Sequence, residues 1–362
     1  MEEENIAQNY KQRGVNAYKQ KNYIEAIQNF TRAIELQEDA TFYSNRAACY
    51  QLTKQYELCI KDCLKILMFE PTFFKAWTRK GQAEIAKGLV SESIESFKQG
   101  LAINTRDESL RKMMDKAALL SGYKEDLKNH IAQENLIDAI RKCDYILEDC
   151  IDAKDLHLLR LELWNKNGDL NKTKQQIESF ENQQNVLFKY EPILGYYKGQ
   201  AILYGGNEEA AKKIWQDTMT ADPEIRQIPV ALKNLRESKK LKEEGSNLYK
   251  NNKTKEAIEK WEKAVSLDIY HKKFNSLVYG NLMTAYNKLN DNSKALKAIN
   301  EAIKLDPEYA KGYFKRGQIY CKIEDYQEAA KDYQTAQNLD PSLNLQGEIQ
   351  KVSKQASKLA KT

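Results

Sequence analysis

Proline and glycine are scarce, at 6 and 15 in 362 residues. A chain this poor in helix breakers is ill suited to β-rich or loop-rich architecture and reads as helical. Histidine is scarcer still: His130, His157 and His271 stand alone, far from the cysteines. The 6 cysteines (Cys49, Cys59, Cys63, Cys143, Cys150, Cys321) form no C-x-x-C pair. That excludes a zinc site or a disulfide framework and fits a reducing compartment, the cytoplasm, with the nucleus as the alternative. Neither charge dominates, since Lys+Arg 57 against Asp+Glu 52 leaves a net of only +5. Nothing in that balance calls for a nucleic acid partner. No apolar run approaches the roughly 18 residues of a membrane span. The start, MEEENIAQNYKQRG, lacks the basic and apolar regions of a secretion leader. There is no Gly-rich phosphate loop, H-E-x-x-H or nucleophile elbow. We therefore expect no enzyme, no catalytic residue, no cofactor and no metal. What is present is core material: 41% hydrophobic residues, with 21 Tyr, 10 Phe and 4 Trp, too much for a disordered chain.

Self-comparison reveals a ladder of small residues: Ala26, Cys59, Ser93, Ala139, Thr173, Ala211, Ala257, Ala295 and Ala329. The steps are 33, 34, 46, 34, 38, 46, 38 and 34 residues. A base period near 34 is interrupted twice by about twelve extra residues. Twelve residues before a rung lies a second small position, held by Gly14, Ala47, Gly81, Gly199, Gly245 and Gly317. Twelve residues after a rung come Pro71, Pro223, Pro307 and Pro341. Four residues after it stands a bulky residue: Phe30, Phe97, Trp215, Trp261, Ile299 or Tyr333.

This pattern resembles the tetratricopeptide repeat (TPR), in which two antiparallel helices meet through small residues. The aromatics are expected to fill the groove between neighbouring pairs, and proline to stop the second helix. The resemblance implies an all-α TPR superhelical solenoid of about nine helix-turn-helix repeats in three modules, one continuous core. The modules are residues 1–122, a degenerate middle over 123–237, and 238–343. Leu127 and Leu161 replace the small residue in repeats four and five, and Thr173 replaces Ala. The extra residues, around Arg106–Ser121 and Glu224–Lys240, carry helical periodicity and are expected to extend a helix. Over 344–362, Leu345, Ile349, Val352, Ala356 and Leu359 share a face opposite lysines, the pattern of a capping helix. Cys59 and Cys63, at i and i+4, have the spacing of a soft-metal pair. With Cys143 they fall on core positions of the repeat, where Cys acts as a small hydrophobe.

Polar residues at fixed repeat positions carry the functional signal. KQRGVNAY, YSNRAACY and FKAWTRKG in the first module resemble the carboxylate clamp of Hsp-organising TPR co-chaperones. The family pattern is K-x-x-G-N, then S-N-R-A, then K-x-x-x-R. Lys11, Asn45, Lys75 and Arg79 match it, while Val15 stands at the first asparagine. In the third module KEEGSNLY, VYGNLMTAY and YAKGYFKRG supply Lys242, Asn281, Lys311 and Lys315. There Ser246 replaces the asparagine and Lys315 the arginine. The resemblance implies binding of acidic C-terminal peptides, the E-E-V-D tails of heat shock protein 70 and 90 class chaperones.

Two clamp-type modules flanking a degenerate one, then a lysine-bearing helix, resemble the TPR region of the nine-TPR DnaJ subfamily C co-chaperones. No histidine begins the H-P-D triplet of a J domain, so the implied function is an adaptor without J-domain activity. The alternative is a structural TPR scaffold subunit of a large assembly, ciliary or organellar, with no chaperone role.

Overall fold

The computed structural model describes residues 2–182 and 191–359. All regular structure among them is helical. Contacts divide the chain into two compact units, cut between Trp164 and Asn165. In the first unit, α1 (Glu2–Lys19) packs on α2 (Tyr23–Leu36), α3 (Ala40–Leu52) on α4 (Tyr56–Phe69), and α5 (Phe74–Ala86) on α6 (Val90–Ile103). Next come α7 (Glu108–Ala132), packed on α8 (Leu136–Leu147), and α9 (Lys154–Asn167), whose last turn crosses the cut.

The second unit holds α10 (Leu170–Asn182), then α11 (Pro192–Tyr204) packed on α12 (Glu208–Ala221). The pairs α13 (Gln227–Lys250) with α14 (Thr254–Ser266), α15 (Lys272–Lys288) with α16 (Asn292–Leu305), and α17 (Ala310–Lys322) with α18 (Tyr326–Leu339) follow. The extra residues lengthen α7 and α13 to 25 and 24 residues, as their periodicity predicts. Helix α19 (Gln346–Leu359) packs on α18, burying Leu345 and Val352 beside Tyr333. Its start lies two residues later than the sequence suggests, because a 3-10 turn over Pro341–Leu343 and a left-handed Asn344 intervene.

The ladder now has a physical meaning. All nine rungs lie on second helices, and all are 0% exposed. A Cβ built on Gly14 would stand 2.7 Å from the Phe30 ring, on Gly245 2.6 Å from Trp261, and on Gly317 2.6 Å from Tyr333. Gly81 under Phe97 and Gly199 under Trp215 are crowded in the same way. The bulky residue therefore seats on the glycine of its own repeat, sixteen positions earlier, which corrects the expectation that it fills the space between repeats. Where Leu127 replaces the glycine, Cys143 replaces the aromatic, and both are buried. Exchanging the large and small partners keeps the volume. Each second helix that precedes a ladder proline ends two residues before it, at Phe69, Ala221, Leu305 and Leu339.

Every turn from first to second helix contains one residue with left-handed backbone, five positions before the rung. These are Lys21, Lys54, Gly88, Glu134, Gly168, Gly206, Asn252, Asn290 and Glu324. One such residue reverses the chain tightly enough for two helices to pack antiparallel. Asn22, Asn135, Asn207, Asp291 and Asp325 then cap the second helices through their side-chain oxygens.

Candidate functional site

The first set of clamp-type residues sits on the first helices of three consecutive repeats, Lys11 on α1, Asn45 on α3, and Lys75 with Arg79 on α5. Lys11 Nζ stands 6.0 Å above the centre of the Phe42 ring, so α1 and α3 meet at this position. Arg79 Nη1 donates to the backbone oxygen of Ser44 at 3.2 Å, which ties α5 to α3 beside Asn45. The buried Nε of Arg79 has no hydrogen-bond partner. Lys75, one turn before Arg79 on the same face, is exposed.

The second set repeats the design on α13, α15 and α17. Lys242 Nζ lies 5.6 Å from the centre of the Phe274 ring. Lys315 Nζ donates to Thr284 Oγ1 at 3.3 Å, one turn beyond Asn281. Lys311 is exposed, one turn before Lys315. Burial, followed by the charge of Lys311, holds the Lys315 ammonium below its ordinary range. A cavity of about 340 Å³ opens beside this set, lined by Lys242, Ser246 and Phe274 together with Lys239, Lys250, Glu208 and Glu243.

The departures from the family pattern have clear consequences. Val15 is half-buried and packs on the cluster of Ala17, Ala26, Phe30 and Cys49. Ser246 Oγ donates back to the Lys242 carbonyl at 2.9 Å. Neither supplies the amide donor of the pattern.

Ion pairing separates these cations from their neighbours. Arg46, inside the S-N-R-A motif, donates from Nε and Nη2 to Asp62 at 2.9 and 2.7 Å. Lys80, next to Arg79, pairs with Glu84 at 2.5 Å. Arg316, next to Lys315, binds Asp332 with two bonds of 2.8 Å. In contrast Lys11, Lys75, Arg79, Lys242, Lys311 and Lys315 make no ion pair among the described residues. Asn45 and Asn281 likewise make no side-chain hydrogen bond there. The sequence pattern marks the positions. It does not reveal the two aromatic rings, Ser44 and Thr284, because those supports differ between the two sets.

The remaining candidates belong to the core. Cys49, Cys59, Cys63, Cys143 and Cys150 are 0% exposed. Burial pushes Cys49 and Cys150 up to about 11 and Cys143 up to about 12. Among the described residues, no group of three or more His, Cys, Asp or Glu could hold a metal ion. No helix there is long and apolar enough to cross a membrane.

The helix pairs, buried rungs and glycine–aromatic contacts define a tetratricopeptide repeat array. Two family profiles agree: one described as "TPR repeat" matches residues 284–323, and one described as "Tetratricopeptide repeat" matches 310–343. The relatives include a DnaJ homolog subfamily C member 7 homolog of Dictyostelium discoideum, 30% identical over 354 residues. That match spans 96% of this chain and 64% of the relative. Heat shock protein STI1 of Saccharomyces cerevisiae is 23% identical over 403 residues, 97% of this chain and 65% of that one. The chain thus spans slightly under two thirds of either curated relative. The solved TPR domain of P58(IPK) has the same fold, with a TM-score of 0.54 at 18% identity, covering 98% of this chain and 99% of that domain. The resemblance drawn from the motifs accordingly holds: this TPR chain has DnaJ subfamily C relatives.

Proposed function

We propose that the protein is a non-catalytic co-chaperone adaptor that holds acidic C-terminal peptides of heat shock protein 70 and 90 class chaperones. Residues 1–122 would present one site, at Lys11, Asn45, Lys75 and Arg79. Residues 238–343 would present the other, at Lys242, Asn281, Lys311 and Lys315. The observation that carries this reading is the unpaired state of six cations at matching positions, beside arginines and a lysine that the chain's own carboxylates satisfy. Cations left unpaired on facing helices are complementary to the two carboxylates at the end of an acidic tail. The two named relatives, a DnaJ homolog and a heat shock protein, support the same partner class.

The energetics suit reversible capture. Each charge-assisted bond is worth roughly 1.5–3 kcal/mol, and ordering a disordered tail takes back roughly 2–5 kcal/mol. Three or four such bonds sum to roughly 5–12 kcal/mol before that cost, and the upper part of the range reaches the roughly −8 kcal/mol of micromolar affinity. Binding at such solvent-accessible cations weakens with salt. Paired variants test the assignment. Lys75→Ala with Arg79→Ala should remove the first site and leave the second. Lys311→Ala with Lys315→Ala should do the reverse. Tail binding that survives all four substitutions overturns the reading.

A further inference from the structure

The second unit holds a further cavity, which shares His271 and Phe274 with the 340 Å³ one but is lined by none of the clamp-type cations. This cavity of about 470 Å³ opens among α11, α12, α13 and the turn between α14 and α15, a size typical of ligand sites. Part of its wall is aromatic, formed by Tyr196, Tyr204, Trp215, Tyr270, His271 and Phe274, and polar and aliphatic side chains complete it. His271 stacks between Tyr204 and Phe274, with ring centres 5.4 and 5.6 Å away. Burial holds its pKa at about 4, so the ring is neutral near pH 7.

One carboxylate, Asp268, lies in this wall. The Tyr204 hydroxyl donates to its two oxygens at 3.0 and 2.9 Å, and the Tyr270 amide donates to Oδ1 at 3.1 Å. Both donors are neutral. No cation pairs with Asp268 among the described residues, and burial lifts its carboxyl above the usual range. Aspartates at the corresponding turns, Asp222, Asp306 and Asp340, accept the same backbone bond, and among the described residues no tyrosine hydroxyl donates to them. Turn formation therefore accounts for the amide bond and not for the tyrosine-lined chamber. Arg226 is the other charged residue of the lining, and it is exposed.

A half-buried carboxylate with no counter-ion among the described residues, beside several aromatic rings, is complementary to a cation. The acid supplies the opposite charge and the ring faces supply cation–π attraction. Tyr270 already shows that affinity, because Lys166 Nζ stands 5.2 Å from its ring centre. We propose that this cavity receives an arginine side chain of a partner polypeptide, with Asp268 as the counter-charge. A planar guanidinium stacks on aromatic rings better than a compact ammonium does.

Nα-acetyl-arginine amide titrated into the full chain tests the proposal, with Nα-acetyl-citrulline amide as its neutral isostere. The readout is the indole N–H resonance of Trp215. The arginine amide should shift it saturably and bind at least about five-fold tighter than the citrulline amide. Asp268→Asn keeps a turn acceptor and should reduce arginine binding to the citrulline level. Arg226→Gln, at an exposed position, should tighten arginine binding about two-fold, as one screened repulsion is lost. It keeps the test decisive if Asp268→Asn does not fold. Equal binding of the two amides, no saturable shift, or unchanged arginine binding in both variants overturns the proposal.

Discussion

Lys315 and Arg316 are adjacent on α17, yet of the two only Arg316 is ion-paired among the described residues. Arg316 makes two 2.8 Å bonds to Asp332 on α18, while Lys315 reaches across to Thr284 on α15. Asp332 is 4% exposed, so removing its partner strands a buried charge. We predict that Arg316→Ala destabilises the fold by about 3 kcal/mol in denaturant titrations. Lys315→Met should leave stability equal to wild type or slightly higher, because it removes a charge held against burial. The same variant should lose tail binding at the third module. The proposed binding and the stability of the fold thus fall to neighbouring residues.

A pH dependence follows from the same lysine. Its folded-state pKa is depressed, with burial the main cause. Charged Lys315 therefore costs stability at neutral pH, and that cost falls away as pH rises from the depressed value to the ordinary lysine value. An anionic guest acts in the opposite direction, because it favours the ammonium. Affinity at the third module should fall as pH rises through that value, and Lys315→Arg should hold its affinity further into the alkaline range. Titrations of the double variant Lys75→Ala, Arg79→Ala at pH 7 and pH 10 isolate the effect.

The left-handed turns predict substitutions that stabilise. Glu134 and Glu324 have φ of 56° and 63° at exposed positions. A non-glycine residue there costs roughly 1–2 kcal/mol, and glycine returns part of that after its own entropy cost. Glu134→Gly and Glu324→Gly should each add about 0.5–1 kcal/mol in chemical denaturation. Gly206, with φ of 96°, should lose a similar amount as alanine.

Replacing Ser246 tests what the family asparagine contributes. The serine hydroxyl turns back to the Lys242 carbonyl, at the edge of the 340 Å³ cavity. Ser246→Asn directs a donor outward into that space. Affinity for an acidic tail at the third module should rise by about three- to ten-fold, the worth of one net hydrogen bond, measured by calorimetry.

The repeat was legible because it is built from extremes of size. Glycine under an aromatic, as with Gly317 and Tyr333, leaves a mark in residue type at a spacing of sixteen. The turns left no such mark, since six of the nine left-handed residues are Lys, Glu or Asn, whose identity does not announce positive φ. The clamp positions were legible by type. Their unpaired state was not, because it depends on which acids fall opposite them, as Asp62 does for Arg46 and none does for Lys75 among the described residues. The Asp268 cavity was invisible for another reason. It joins residues from Tyr196 to Phe274, which the periodicity assigns to different repeats.

The central claim is that unpaired cations receive the carboxylates of a chain terminus. Calorimetric titration of the intact protein with a peptide ending in E-E-V-D, beside the same peptide amidated at its C-terminus, tests it most directly. Micromolar binding of the free acid, weakened at least about ten-fold by amidation, is the predicted result. Equal binding of the two forms would contradict the account.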